Sequence, residues 1–235
     1  MMHLLRVSVL AFLLGNPVVA AGAEWAPIDK SDAKIAFRGL GLGEGKFFVR
    51  AIPQYYQEYG IWSSDPRCPR AEVFLYQLWP AYIFSSSQDL RTIVEMWKFL
   101  GGKNPKFSTE QAALNALGRV KYELFSMSTL HCVAFMQHFG TGSGAPNDLG
   151  IPPNIIGGYY CDSEPLSGNT VEAAIQGIRV KGYKSKYQAP SSAVCRTDFG
   201  VQVNPDTRTP QEAISEDIFK AIDASKRRVS YKGMK

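Results

Sequence analysis

Cys68, Cys132, Cys161 and Cys195 stand in a chain whose first residues read as an export signal, and that combination constrains the fold more than any other feature. Thiols carried out of the cytoplasm are normally oxidised in pairs, so an even count predicts two covalent ties. The export reading rests on residues 1–23. Arg6 precedes the apolar run Val7 to Leu14, interrupted only by Ser8, and Gly15, Asn16 and Pro17 then break any helix. Ala21-Gly22-Ala23 fits the A-x-A cleavage pattern, so the mature chain is expected to begin at Glu24, with a cut after Ala20 as the alternative. The run is far shorter than the roughly 20 apolar residues that span a bilayer. Downstream, Val73 to Phe84 is the most apolar stretch, but Gln77 and Pro80 interrupt it and it reads as core strand. No transmembrane anchor is therefore expected after cleavage, and the expected location is periplasmic or secreted.

Four cysteines allow three connectivities. Cys132–Cys161 is the favoured pair, because each lies in a strand-like run and the segment between them is rich in Gly, Pro and Asn. Cys68–Cys195 then follows by elimination. Removing 23 residues from 235 leaves 212, a length one domain can fill, and 45% hydrophobic content excludes a disordered tail. A chain of this size buries about 70% of its unfolded surface, so the disulfides are not needed merely to fold. Losing Arg6 with the leader takes the formal charge from +5 to +4, a weak hint of an anionic partner.

Along the mature chain, residues 24–38 read as an extended, weakly structured lead-in and Gly39 to Gly45 as a glycine-rich loop. Strands are expected over Lys46 to Ile52 and Glu72 to Phe84, with the aromatic segment Gln54 to Trp62 between them. Leu90, Ile93, Val94 and Trp97 recur at helical spacing, which predicts a helix over 89–100 capped from Ser85 to Ser87. Ser108-x-x-Gln111 has the form of a capping box and predicts a second helix ending before Gly118. Arg119 to Met127 and Leu130 to Phe139 are too closely spaced for anything but an antiparallel hairpin. A strand over Ile155 to Cys161, a helix over Asn169 to Gly177 and extended chain over Arg179 to Tyr187 follow. Thr209-Pro210-Gln211-Glu212 opens a helix through Ala224, and the tail 226–235 reads as basic and disordered. The pattern lacks a βαβ rhythm and predicts a single α+β domain over 24–225, with a mainly antiparallel sheet and three to four short helices.

Chemical motifs are sparse. His131-Cys132 suggests a cysteine nucleophile, yet adjacent strand residues face opposite ways, and His138, on the Cys132 face, lies roughly 20 Å along the strand. With His3 lost in the leader, the two remaining histidines make no zinc site, and no C-x-x-C pair marks a haem or redox centre. The glycine loop ending in Gly45-Lys46 fails the P-loop pattern, since Leu40 and Phe47 occupy required positions, and Gly140 to Gly144 carries no lysine. Asp162 and Glu164 read as turn residues, and no G-x-S-x-G elbow is present. No catalytic residue, metal ligand or cofactor is assigned. Lys181, Lys184 and Lys186 alternate with tyrosines in a segment that could hold an anion or simply protect a sheet edge.

The pattern Cys132-Val133-Ala134-Phe135, Gly158-Tyr159-Tyr160-Cys161 and Pro165-Leu166-Ser167, running into a short amphipathic helix, resembles uncharacterised exported bacterial proteins. The resemblance spans the middle third of the chain. It implies a bacterial envelope setting and the Cys132–Cys161 bridge, and it brings no activity with it. The expectation is thus a non-enzymatic module that binds an envelope protein or ligand through loops and exposed aromatics. The alternatives are an envelope hydrolase with a carboxylate-based site and an anionic-polymer-binding module. Export argues against nucleic acid as the partner.

Overall fold

A strand such as RAEVFLYQL has no polar face to offer water, so the sheet that contains it must be covered on both sides. The computed structural model describes residues 24–38, 40, 42–62, 69–79, 82–84, 86–100, 104–140, 152–183 and 209–228. Strands β1 (Ala26–Ile28), β2 (Ile35–Phe37), β3 (Gly45–Ile52), β4 (Tyr55–Trp62), β5 (Arg70–Leu78) and β6 (Tyr82–Phe84) precede helix α1 (Leu90–Met96). Next come β7 (Lys106–Phe107), β8 (Gln111–Asn115), β9 (Gly118–Met127), β10 (Leu130–Phe139) and β11 (Asn154–Asp162). Helix α2 (Gly168–Gly177), β12 (Ile178–Val180), α3 (Pro210–Ala213), α4 (Glu216–Ala224) and β13 (Lys226–Arg228) complete the order. The chain is α+β and dominated by sheet.

Nine strands make one antiparallel sheet in the order β1-β3-β4-β5-β11-β10-β9-β7, with β8 also paired to β9. Alternation sorts its side chains to two cores. One face sends Tyr59, Phe74, Tyr76 and Tyr159 against Trp97 and the α4 residues Ile218, Phe219 and Ile222. Phe219 sits at the centre of an aromatic cluster, 4.9 Å from Trp25, 5.9 Å from Phe74 and 6.1 Å from Tyr59. The other face sends Val73, Leu75, Phe135 and Ile156 against α2 and against Ile35, Phe37, Ile178 and Val180. Those last four belong to a separate two-stranded ribbon, β2 with β12, laid over the sheet. Gly157 and Gly158 on β11 make room for neighbouring rings: a Cβ at Gly158 would lie 2.5 Å from Phe135 Cζ and 2.6 Å from the Glu72 carbonyl oxygen.

The Cys132–Cys161 bridge is formed, across directly paired positions of β10 and β11 whose Cα atoms are 4.1 Å apart. Cys68 and Cys195 lie outside the described residues. The β9–β10 hairpin forms with its register running from Leu130 opposite Met127, and Ser128 in the turn takes φ 51°.

Several expectations are corrected. The capping box at Ser108 opens no helix: Ser108 instead bonds β9 through Leu124 N and O, and Gln111–Asn115 runs as β8. Asn115 Oδ1 accepts from Leu117 N and Gly118 takes φ 117°, so a tight turn and sheet pairing override the helical propensity of the alanines and leucines. Helix α1 is capped by Asp89, which accepts from Thr92 N at 2.9 Å, rather than from Ser85 to Ser87. The long strand over 72–84 is two strands, since Trp79 N turns to the Gln54 carbonyl at 3.1 Å and ends β5 at Leu78. The last helix opens as expected at Thr209 but breaks at Ile214, where ψ is 137°. That break carries Ser215 into the core, where its hydroxyl oxygen accepts from Lys98 N at 3.0 Å. The start of the basic tail is ordered: Lys226–Arg228 pairs with β6. Residues 24–38 are extended in part, but they hold two paired strands rather than weakly structured chain.

Candidate functional site

The sequences Lys34-Ile-Ala-Phe-Arg38 and Ile178-Arg-Val-Lys181 alternate apolar and basic residues, which turns one side of the β2–β12 ribbon to the core and the other to solvent. Ile35 and Val180 pair across the ribbon, as do Ala36 and Arg179, while Lys181 N bonds the Lys34 carbonyl and Arg38 N bonds the Gly177 carbonyl. Beside this ribbon runs a groove of about 690 Å³ whose lining includes Lys30, Lys34, Arg38, Arg179 and Lys181. Among the described residues no acidic side chain lines it. The acids in the neighbouring turn, Asp29 and Asp32, are exposed and outside it.

The groove is tied to the main sheet beneath. Glu58, fully buried on β4, accepts from Lys34 N at 3.0 Å and Ile35 N at 2.7 Å, and also from the Tyr56 hydroxyl. The Lys34 ammonium lies 3.7 Å above the Tyr56 ring and donates to Gln77 Oε1 at 2.7 Å. Burial lowers its pKa, and Glu58 partly offsets that. Lys181 Nζ reaches the Ser31 carbonyl at 3.2 Å and remains exposed, as do Lys30 and Arg38. Arg179 donates from Nη1 to the Gln176 carbonyl and to the Ile178 carbonyl at 2.8 Å, and its pKa is lowered by burial first and by Arg38 second.

Aromatic residues complete the walls. Trp62 is 4% exposed, and its indole Nε1 has no acceptor among the described residues. A Cβ at Gly45 would lie 2.6 Å from that nitrogen, so glycine is what lets the indole edge pass. Tyr183 is 38% exposed and fixed by an edge contact with Phe139 at 4.9 Å and by a bond from Asn154 Nδ2 to its hydroxyl at 3.1 Å. Gly140, at φ 92°, leaves room for that bond, since a Cβ there would lie 2.5 Å from Asn154 Nδ2.

Of the three lysines singled out in the sequence, Lys181 lies at this groove, while Lys184 and Lys186 fall outside the described residues. Lys30, Lys34 and Arg38 escape any reading that takes residues 24–38 as loose chain. The alternation at 34–38 is the signal that could have found them. Gly43 and Gly45 of the glycine-rich segment line the groove as well. Cys132 and Cys161 are buried under the helical face and joined. His138 packs against the Phe84 ring at 5.5 Å, and burial lowers its pKa. His131 stands at the opposite side of β10, level with Asp162.

The buried carboxylates are each taken up by donors. Glu72 accepts from Arg70 and the Tyr59 hydroxyl, Glu123 pairs with Arg91 at 2.8 Å, and Glu58 holds the ribbon. Glu58 and Glu72 point to opposite faces of the sheet, as their registers on β4 and β5 require. Asp162 accepts from Tyr160 Oη at 3.1 Å and from Glu164 N at 3.3 Å, a local turn. Among the described residues no group of three metal-ligating side chains converges, and no helix is long and apolar enough to cross a membrane. No protein-family model, no curated protein and no solved structure matches the chain.

Proposed function

We propose that this chain is an exported, non-enzymatic binding protein that holds an anionic ligand along the β2–β12 ribbon. The observation that carries the reading is the gathering of Lys30, Lys34, Arg38, Arg179 and Lys181 around one groove with no carboxylate among its described lining residues. Like charges set side by side on paired strands are destabilising. A ligand that neutralises them would relieve that repulsion and gain charge-assisted hydrogen bonds. The buried carboxylates Glu58 and Glu72 of the disulfide-tied sheet are already saturated by donors. Among its described lining residues the groove therefore offers a ligand cations and hydrogen-bond donors, with no carboxylate or imidazole beside them to act as general acid or base. The disulfide and the lack of a membrane-spanning helix among the described residues are compatible with an extracellular setting.

Calorimetric titration with tripolyphosphate at rising salt tests the reading. Binding should weaken steeply from about 50 to about 200 mM salt, as counterion release requires. Arg38→Glu with Lys181→Glu, both at exposed positions, should abolish it. Affinity indifferent to salt and to both substitutions would reject the proposal.

A further inference from the structure

Resting on that reading, we infer that the ligand is a linear acidic oligosaccharide lying along the ribbon, not a single small anion. The backbone positions of these cations run along the length of the ribbon. Lys181 is bonded opposite Lys34 at one end of the ribbon, and Arg38 lies four residues farther along β2. At strand rise the two ends of the backbone are ~13 Å apart, a span that a linear ligand covers and a single phosphate or carboxylate does not. A ligand that meets both ends must carry charges at intervals.

The walls then select what lies between those charges. Leu42 and Tyr183, above a floor that includes Phe47 and Trp62, give the groove an apolar side that an inorganic polyphosphate has no surface to cover. A sugar ring has both parts: a C–H face for Tyr183 and hydroxyl oxygens that can accept from the Trp62 indole N–H. The Arg38 guanidinium, at an exposed position, presents a planar fork that matches a carboxylate bidentately. Single-stranded nucleic acid would need a row of stacking platforms. Of the aromatic rings among the groove's described residues only Tyr183 is substantially exposed, while Phe37, Phe47 and Trp62 are 6%, 4% and 4% exposed and form the floor.

The test is calorimetric titration of the full mature protein with galacturonic acid, short oligogalacturonates, their methyl esters, tripolyphosphate and oligo-deoxythymidine. Oligogalacturonate is expected to bind at least about tenfold more tightly than the monomer, through simultaneous engagement of linked charges, and esterification should remove the binding. Tyr183→Leu should weaken the oligosaccharide several-fold more than it weakens tripolyphosphate. Arg38→Gln, at an exposed position, should weaken both and serves as the second variant if the tyrosine change perturbs folding. Monomer and oligomer binding equally, or tripolyphosphate or the oligonucleotide binding more tightly, overturns the inference while anion binding itself stands. Failure of every anion to bind overturns both.

Discussion

Replacing Glu72 by glutamine removes one charge from a pair that the sheet has sealed away from water. The Arg70 and Glu72 side chains are 9% and 2% exposed, and Arg70 Nη2 and Nε both donate to Glu72 Oε1, the latter at 3.1 Å. Tyr59 donates its hydroxyl to the other carboxylate oxygen, and Arg70 Nε also lies 3.2 Å from the Tyr159 hydroxyl. The Arg70 guanidinium rests 4.3 Å above the Phe99 ring. Burial pulls this arginine's pKa down, but Tyr159 and Glu72 together more than offset it, so it is held above the ordinary value. Breaking a buried ion pair from one side costs about 3–5 kcal/mol, a large part of the 5–15 kcal/mol typical of a folded domain. With a urea m-value near the upper end of about 1–3 kcal/mol/M, the unfolding midpoint of Glu72→Gln should fall by about 1–2 M. Arg70→Met with Glu72→Leu removes both charges and should cost less than either Arg70→Met or Glu72→Gln alone. The assay is equilibrium urea unfolding of all four proteins with the disulfide intact. A Glu72→Gln midpoint equal to wild type, or a double variant whose loss is the sum of the single losses, would refute the reasoning.

Gly158→Ala should prevent accumulation of folded protein, because its Cβ meets the Glu72 backbone oxygen at 2.6 Å; Gly43→Ala, with nothing within 4 Å, should express and melt like wild type. Converting Cys132 and Cys161 together to alanine opens a loop of sequence separation 29 and should lower stability by about 3–4 kcal/mol in the loop-entropy model, read by the same unfolding curves. In alkaline absorbance titration, Tyr59 and Tyr159 should stay protonated after exposed tyrosines ionise, since burial, then Glu72, pushes both hydroxyls well above their ordinary value. A raised folded-state pKa gives stability that is fully present below the unfolded value of about 10 and is lost as pH climbs above it. Unfolding curves should therefore show a decline that begins above about pH 10, and a tyrosine titration that completes at the ordinary value in the folded protein would contradict the burial of these rings.

The parts of the fold legible in the sequence are those whose signals are local. The β9–β10 hairpin follows from two apolar runs separated by a couple of residues, and helix α2 from Ser167, whose hydroxyl accepts from Thr170 N at 3.1 Å. The bridge between Cys132 and Cys161 is legible because the two strands that carry it are neighbours in the sheet. Where a local signal competes with pairing, pairing wins: residues 111–115 have good helix formers, yet β9 offers a partner along their whole length. The groove is hidden for a different reason. Its two strands are three residues each, so the alternation at 34–38 is a brief signal, and Ala36 meets Arg179 across most of the chain. Lys181 is visible as part of a basic stretch, but only the fold brings Arg38 and Lys30 to the same groove.

Glu58 decides whether that groove is a built feature or a chance gathering of surface charge, because substituting it pits two effects of opposite sign against each other. Glu58→Gln makes the protein more positive and should on that ground strengthen anion binding. At ~10 Å and an effective dielectric of about 20, one unit charge contributes about 1.7 kcal/mol. The same substitution removes the charged acceptor of Lys34 N and Ile35 N, and an amide can present its single oxygen to only one of them. Hydrogen bonds to charged groups are worth about 1.5–3 kcal/mol each, and a buried N–H left facing a donor adds its own penalty. The second effect is the larger. The ribbon should loosen, seen as faster amide exchange at Lys34 and Ile35, and anion affinity should fall in spite of the added positive charge, since only the closed fraction binds. If affinity rises instead, long-range charge alone holds the ligand and the geometry of the ribbon is irrelevant to it.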